Sequence, residues 1–218
     1  TGASNTAIGM FALRDNTTGC SNTGVGKESL LVNTTGCHNV GLSYQALCSN
    51  TSGHCNVAVG MRALAANTTA CNNTAIGACS LFANTTGADN VGVGAAALLS
   101  STTGDYNVAV GTAALDANTT ADNNVAIGYQ ALEENTTGAS NIAAGSRALT
   151  NNTTASNNTA MGYAALNANT TGTENVAVGP NALDACTTGS YNVGMGINAL
   201  GAFSIPSTMS SFQIIFPS

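Results

Sequence analysis

Apolar and polar positions along this chain recur with a single period. Counting from each of the asparagines at 5, 22, 39, 56, 73, 90, 107, 124, 141, 158, 175 and 192, the same order of residue types returns every 17 residues without insertion or deletion. Numbering each repeat from its Asn, place 2 is Val, Thr or Ile, place 4 is Ile, Val, Leu, Met or Ala, and place 5 is Gly except at Ser43. Alternating β-branched residues closed by Gly predict a short strand over places 2 to 5. Places 6 to 11, as in YQALEE or YAALNA, suit either one helical or 3₁₀ turn or a second short strand, being too few for an isolated helix. Place 9 is Leu in every repeat, from Leu13 to Leu200, and reads as core.

A phrase this short cannot fold alone. It buries too little apolar surface to offset about 1–2 kcal/mol per residue of lost backbone entropy, so each copy must lean on the next. The predicted fold class is therefore all-β, with short helical turns as an option: a parallel β-solenoid, or β-roll, of twelve 17-residue turns. At about 4.8 Å per turn such a stack would run to roughly 58 Å. Residues 1–4 read as the end of a preceding repeat, 5–208 as the solenoid, and 209–218 as a C-terminal cap or a polymerisation strand.

Place 3 is always small: Ala7, Gly24, Gly41, Ala58, Ala75, Gly92, Ala109, Ala126, Ala143, Ala160, Ala177 and Gly194. Side chains alternate along a strand, so this column faces away from places 2 and 4. Water would accept larger residues, which implies close packing on that face. The column is expected to be the oligomer face of a homo-oligomer, with packing inside one solenoid as the alternative. The Asn that opens each repeat carries both donor and acceptor and is expected to form a ladder between turns.

Charge changes the picture only at the edges. All fourteen charged residues fall in places 6, 7, 10, 11, 16 and 17, which mark the outside and the surface where any recognition would occur. Four Lys and Arg against ten acidic residues leave no basic patch, so nucleic acid is not an expected partner. No run approaches the roughly 18–20 apolar residues that span a bilayer, so no membrane insertion is expected.

Candidate chemistry is sparse. The NTT phrase makes N-x-S/T sequons at Asn16, Asn33, Asn50, Asn67, Asn84, Asn118, Asn135, Asn152 and Asn169, which are candidate glycosylation sites. Ser101 and Cys186 interrupt that Asn column while the following threonines persist, which favours a structural Thr column. Paired Thr columns also raise ice binding, but adjacent residues on extended backbone face opposite ways, which counts against a doubled hydroxyl array. Seven cysteines are present; Cys20 and Cys37 share place 16 in adjacent turns, and Cys55 and Cys71 are diagonal neighbours, so both pairs are candidate disulfides. His38 and His54 beside cysteines raise a metal site, but the spacing matches no zinc pattern and no metal is assigned. Two histidines and scattered acids nominate no nucleophile and base, so no catalytic residue, cofactor or enzymatic activity is expected.

The phrase N-[VT]-[AG]-[VI]-G-x-x-A-L, as in NVAVGTAAL and NTAMGYAAL, resembles the head repeats of YadA-like trimeric autotransporter adhesins and related phage tail-fibre repeats, over nearly all of residues 1–208. The resemblance implies a left-handed parallel β-roll, three chains side by side, and an exposed surface that meets host or matrix partners. The chain differs from that pattern in its strict 17-residue repeat with an inserted NTTG corner. The expected function is a structural and adhesive extracellular or virion fibre segment displaying variable edges. Its partners would be further copies of itself and a host-surface, matrix or glycan receptor. A self-polymerising, sugar-coated surface filament is the runner-up.

Overall fold

The computed structural model describes residues 2–201 and the strand at 212–214. The chain is an all-β parallel β-solenoid with 17-residue turns, and it divides into two compact units, Thr1–Asn107 and Val108–Ser218. The first unit carries β1 (Thr6–Ile8), β2 (Thr23–Val25), β3 (Val40–Leu42), β4 (Val57–Val59), β5 (Thr74–Ile76) and β6 (Val91–Val93). The second carries β7 (Val108–Val110), β8 (Val125–Ile127), β9 (Ile142–Ala144), β10 (Thr159–Met161), β11 (Val176–Val178), β12 (Val193–Met195) and β13 (Phe212–Ile214).

Within each unit equivalent places stack directly. Val57 pairs with Thr74 and Val59 with Ile76 in the first unit; Val125 pairs with Ile142 and Ile127 with Ala144 in the second. The final pairing departs from the 17-residue spacing: Val193 lies opposite Phe212, so β13 continues the parallel ladder on β12 of its own chain. The rest of the tail, and with it the end of the expected solenoid at 208, lies outside the described residues.

A three-residue strand can carry little of the backbone's hydrogen bonding, so the corners must supply the remainder. They do so between turns. The Leu30 N–H donates to the Ala46 carbonyl at 3.0 Å and the Gln45 N–H donates to the Lys27 carbonyl at 3.0 Å. The same two bonds recur in the second unit from Leu132 to Ala148 at 2.9 Å and from Gln130 to Thr112 at 3.1 Å.

Places 6 to 11 are neither a helical turn nor a strand. Two successive tight turns occupy them, closed by Ala131 N–H to Gly128 O at 3.4 Å and Asn135 N–H to Leu132 O at 3.3 Å. The backbone is left-handed at places 7 and 9, with φ of 54° at both Gln130 and Leu132, and this excludes right-handed helix and extended strand alike. A leucine pays about 1–2 kcal/mol to sit there, and burying its side chain returns about 1.5–3 kcal/mol. Leu132 and its counterparts from Leu30 to Leu183 are fully buried.

Place 5 requires glycine for a second reason. Gly128 has φ of 134°, and a Cβ on it would stand 2.6 Å from the Gly145 carbonyl group of the next turn. Ser43 is the exception, with φ of 120°.

The interior is narrow and consists of places 1, 3, 8, 9, 12 and 15. Place 3 points into it. Ala58, Ala75, Ala109, Ala126, Ala143, Ala160 and Ala177 are fully buried, as are Gly24, Gly41, Gly92 and Gly194. Ala7 occupies the same place in β1 and is exposed. The expected oligomer face on this column is thus corrected. The small residues are small because Leu and backbone atoms of the coil fill the space opposite them, as Leu13 Cγ does 3.4 Å from where a Gly24 Cβ would be.

Candidate functional site: the outer strand row and the variable edges

With place 3 turned inward, places 2 and 4 of every strand face outward. The side chains left on the surface are mostly apolar, interrupted by Thr at place 2 of four strands, and place 6 adds Met or Tyr in five turns and Lys27, Thr112 or Ser146 in others. In the second unit Ile127 is 47% exposed, Tyr129 52%, Met161 46% and Tyr163 55%. In the first unit Ile8, Met10, Tyr44, Met61 and Ile76 are likewise exposed. Six repeat rungs at about 4.8 Å and four residues at about 3.3 Å give a footprint of roughly 400 Å² in each unit, mostly apolar and in the range of the largest apolar patch of a typical monomer, which is often functional.

The asparagine columns are structural on both sides of the coil. At place 1 the Asn22 Nδ2 donates to the Gly36 carbonyl at 2.7 Å, while its Oδ1 accepts the Asn39 N–H at 2.9 Å. At place 12 the amides join directly: Asn50 Nδ2 donates to Asn33 Oδ1 at 2.8 Å and to the Gly53 carbonyl at 3.1 Å. The second unit repeats this with Asn152 Nδ2 to Asn135 Oδ1 at 2.9 Å.

These bonds correct the glycosylation sites. An N-linked sugar is carried on Nδ2, and in the folded chain Asn33, Asn50, Asn67, Asn84, Asn118, Asn135, Asn152 and Asn169 are fully buried with that nitrogen donating to neighbours. Asn16 is only half-buried, but its Nδ2 also donates, to the Gly19 carbonyl at 3.0 Å.

The two Thr columns divide. Place-13 hydroxyls donate to the carbonyl one turn on, as from Thr34 to Thr51 at 2.9 Å and from Thr136 to Thr153 at 3.0 Å. Place 14 is the outward rank, with Thr35, Thr69, Thr137 and Thr154 exposed. One exposed rank remains where a doubled hydroxyl array needs two.

Place 16 shows a role that sequence reasoning missed. Its backbone N–H finds an acceptor in the place-16 side chain of the following turn: Cys37 N–H to His54 Nδ1 at 2.9 Å, Ala88 N–H to Asp105 Oδ1 at 2.7 Å, and Ala139 N–H to Ser156 Oγ at 3.0 Å. The signal was the column's restriction to Cys, His, Asp, Ser, Thr and Ala, mostly short acceptors. Cys20 and Cys37 are brought together in this column, with Sγ atoms 2.6 Å apart. Cys55 and Cys71 are not paired: the Cys71 Sγ accepts the His54 N–H at 3.2 Å, and Cys55 is exposed in the adjoining column. Among the described residues no three His, Cys, Asp or Glu side chains converge as a metal requires.

The edge formed by places 7, 10 and 11 differs between units. In the first, the Arg62 guanidinium lies 4.4 Å from the Phe82 ring centre, beside a largely apolar groove of about 410 Å³ that Cys79 and Leu99 also line. In the second, Gln130, Glu133, Arg147, Asn151 and Asn167 line a polar groove of about 280 Å³. Burial pushes the Asp116 carboxyl above its ordinary value, and the like charges of Glu133 and Glu134 on the next turn push it further.

Searches against protein-family models, curated proteins and solved structures return no match to this chain.

Proposed function

We propose that this chain is a structural segment of an extracellular or virion fibre, in which the solenoid is a scaffold, the variable edges meet a receptor or glycan, and the outer strand row seats further copies of the chain. The observation that carries this reading is the exposed apolar row at places 2, 4 and 6, typified by Ile127, Tyr129, Met161 and Tyr163. A repeated surface of this kind suits a second copy, because the same spacing recurs on both partners and a cyclic arrangement closes on itself. The resemblance of the repeat phrase to adhesin-head and tail-fibre repeats is in keeping with this reading. Against the runner-up filament, the strand at Phe212–Ile214 pairs with β12 of its own chain, which supports a closing rung over a donated one.

Sedimentation velocity with multi-angle light scattering tests the self-association. The natural chain should sediment as a defined oligomer, and the double variant Ile127→Glu/Met161→Glu as a monomer with unchanged far-ultraviolet dichroism. A natural chain that stays monomeric across the concentration range would remove the oligomeric part of the reading.

A further inference from the structure

We propose that Cys20 and Cys37 are the paired thiols of an inter-turn disulfide that clamps the first turn of the solenoid to the second. The two residues occupy place 16 of consecutive turns, and both are half-buried and reachable from solvent. Parallel in-register stacking sets their Cα atoms about 4.8 Å apart, inside the span that a disulfide bridges without moving backbone. Their sulfurs are already in contact at 2.6 Å, and the His38 N–H to Cys20 carbonyl bond at 3.0 Å holds the two turns in that register.

Cys37 Sγ accepts both the Cys20 N–H at 3.0 Å and the Cys20 thiol proton, while its own thiol donates to the Thr35 carbonyl at 3.6 Å. The hydrogen bond donated to Cys37 holds the Cys20 thiol above its ordinary pKa. With a small-molecule disulfide such as oxidised glutathione as oxidant, one of the two protein thiols gives its proton to solvent and attacks, forming a mixed disulfide, and one small thiol leaves. The other protein thiol then gives its proton to solvent and attacks the protein sulfur of the mixed disulfide, and the second small thiol leaves with a proton. Two protein thiols are oxidised and one small disulfide is reduced to two thiols.

No other cysteine has this geometry. His54 stands between Cys37 and Cys71 in the column, Cys48 Sγ turns to the Ala65 carbonyl at 3.4 Å, and Cys186 is buried at place 12.

The test treats the reduced native protein with oxidised glutathione, alkylates remaining thiols, and maps the digest by tandem mass spectrometry. Two of the seven thiols should be lost, joined as Cys20–Cys37, with the other five alkylated. Cys20→Ser, with unchanged dichroism, should leave Cys37 alkylated or glutathionylated and no cross-link. Cys20 and Cys37 both alkylated in the natural chain, or either joined to a different cysteine, would overturn the assignment.

Discussion

Ser29 and Gly41 are fitted to one another across a turn: the Ser29 hydroxyl donates to the Gly41 carbonyl at 2.8 Å, and a Cβ on Gly41 would stand 2.5 Å from that hydroxyl oxygen. Ser80 and Gly92 repeat the arrangement at 2.9 Å and 2.5 Å. Where place 8 is alanine, as at Ala46 and Ala63, the following turn carries Ala58 and Ala75, fully buried. The interior thus accepts serine over glycine, alanine over alanine and, at Ala12–Gly24 and Ala182–Gly194, alanine over glycine, but nowhere serine over alanine.

This pairing makes a double-mutant prediction. Gly41→Ala alone should cost about 1–3 kcal/mol by overpacking, and Ser29→Ala alone about 1 kcal/mol for the lost hydrogen bond. Together they recreate the alanine pair and should cost less than the sum by at least about 1 kcal/mol. Urea unfolding of the four proteins measures the coupling, and simple additivity would refute the matched-pair account.

The place-12 amide ladder stops where asparagine is replaced. Asn84 Oδ1 precedes Ser101 and Asn169 Oδ1 precedes Cys186, and each of these buried oxygens receives no hydrogen bond. Cys186→Asn should restore a donor to Asn169 and raise stability by about 0.5–1.5 kcal/mol. A urea midpoint that fails to rise would mean the ladder contributes less than its geometry suggests.

Asp116 gives a pH dependence with a definite sign. Its folded carboxyl pKa is raised, so the folded state holds its proton more tightly than the unfolded chain, and its ionisation opposes folding. The penalty is absent below the unfolded value near pH 4 and grows as pH rises through the raised folded value. Asp116→Asn should therefore raise the melting temperature at pH 7 and change it little at pH 3. Equal shifts at both pH values would assign the effect to packing instead.

Much of this architecture was legible in the chain because identical places must stack if a 17-residue coil is to bury anything. The Leu column as core and the charged columns as edges followed directly. What alternation alone does not decide is which side of a strand faces in. The coil is so narrow that Leu132 and its neighbours leave room for only Ala or Gly at place 3, which sends bulky Ile127 and Met161 outward, against the usual expectation for β-branched residues. The corner at places 6 to 11 was illegible for another reason: Leu gives no sign of a left-handed backbone, since it rarely adopts one. The sequon asparagines looked like surface sites because their role as a buried ladder appears only once turns are stacked.

The inside-out strand is the claim on which the outer row and its proposed partners depend, and thermal melting followed by circular dichroism tests it with two neighbouring residues. Ala126→Arg forces a long charged side chain into the interior and should abolish the cooperative β-sheet melt. Ile127→Arg should keep that melt close to the natural chain's while weakening self-association. An Ala126→Arg protein that melts like the natural chain, beside an Ile127→Arg protein that does not fold, would contradict the account.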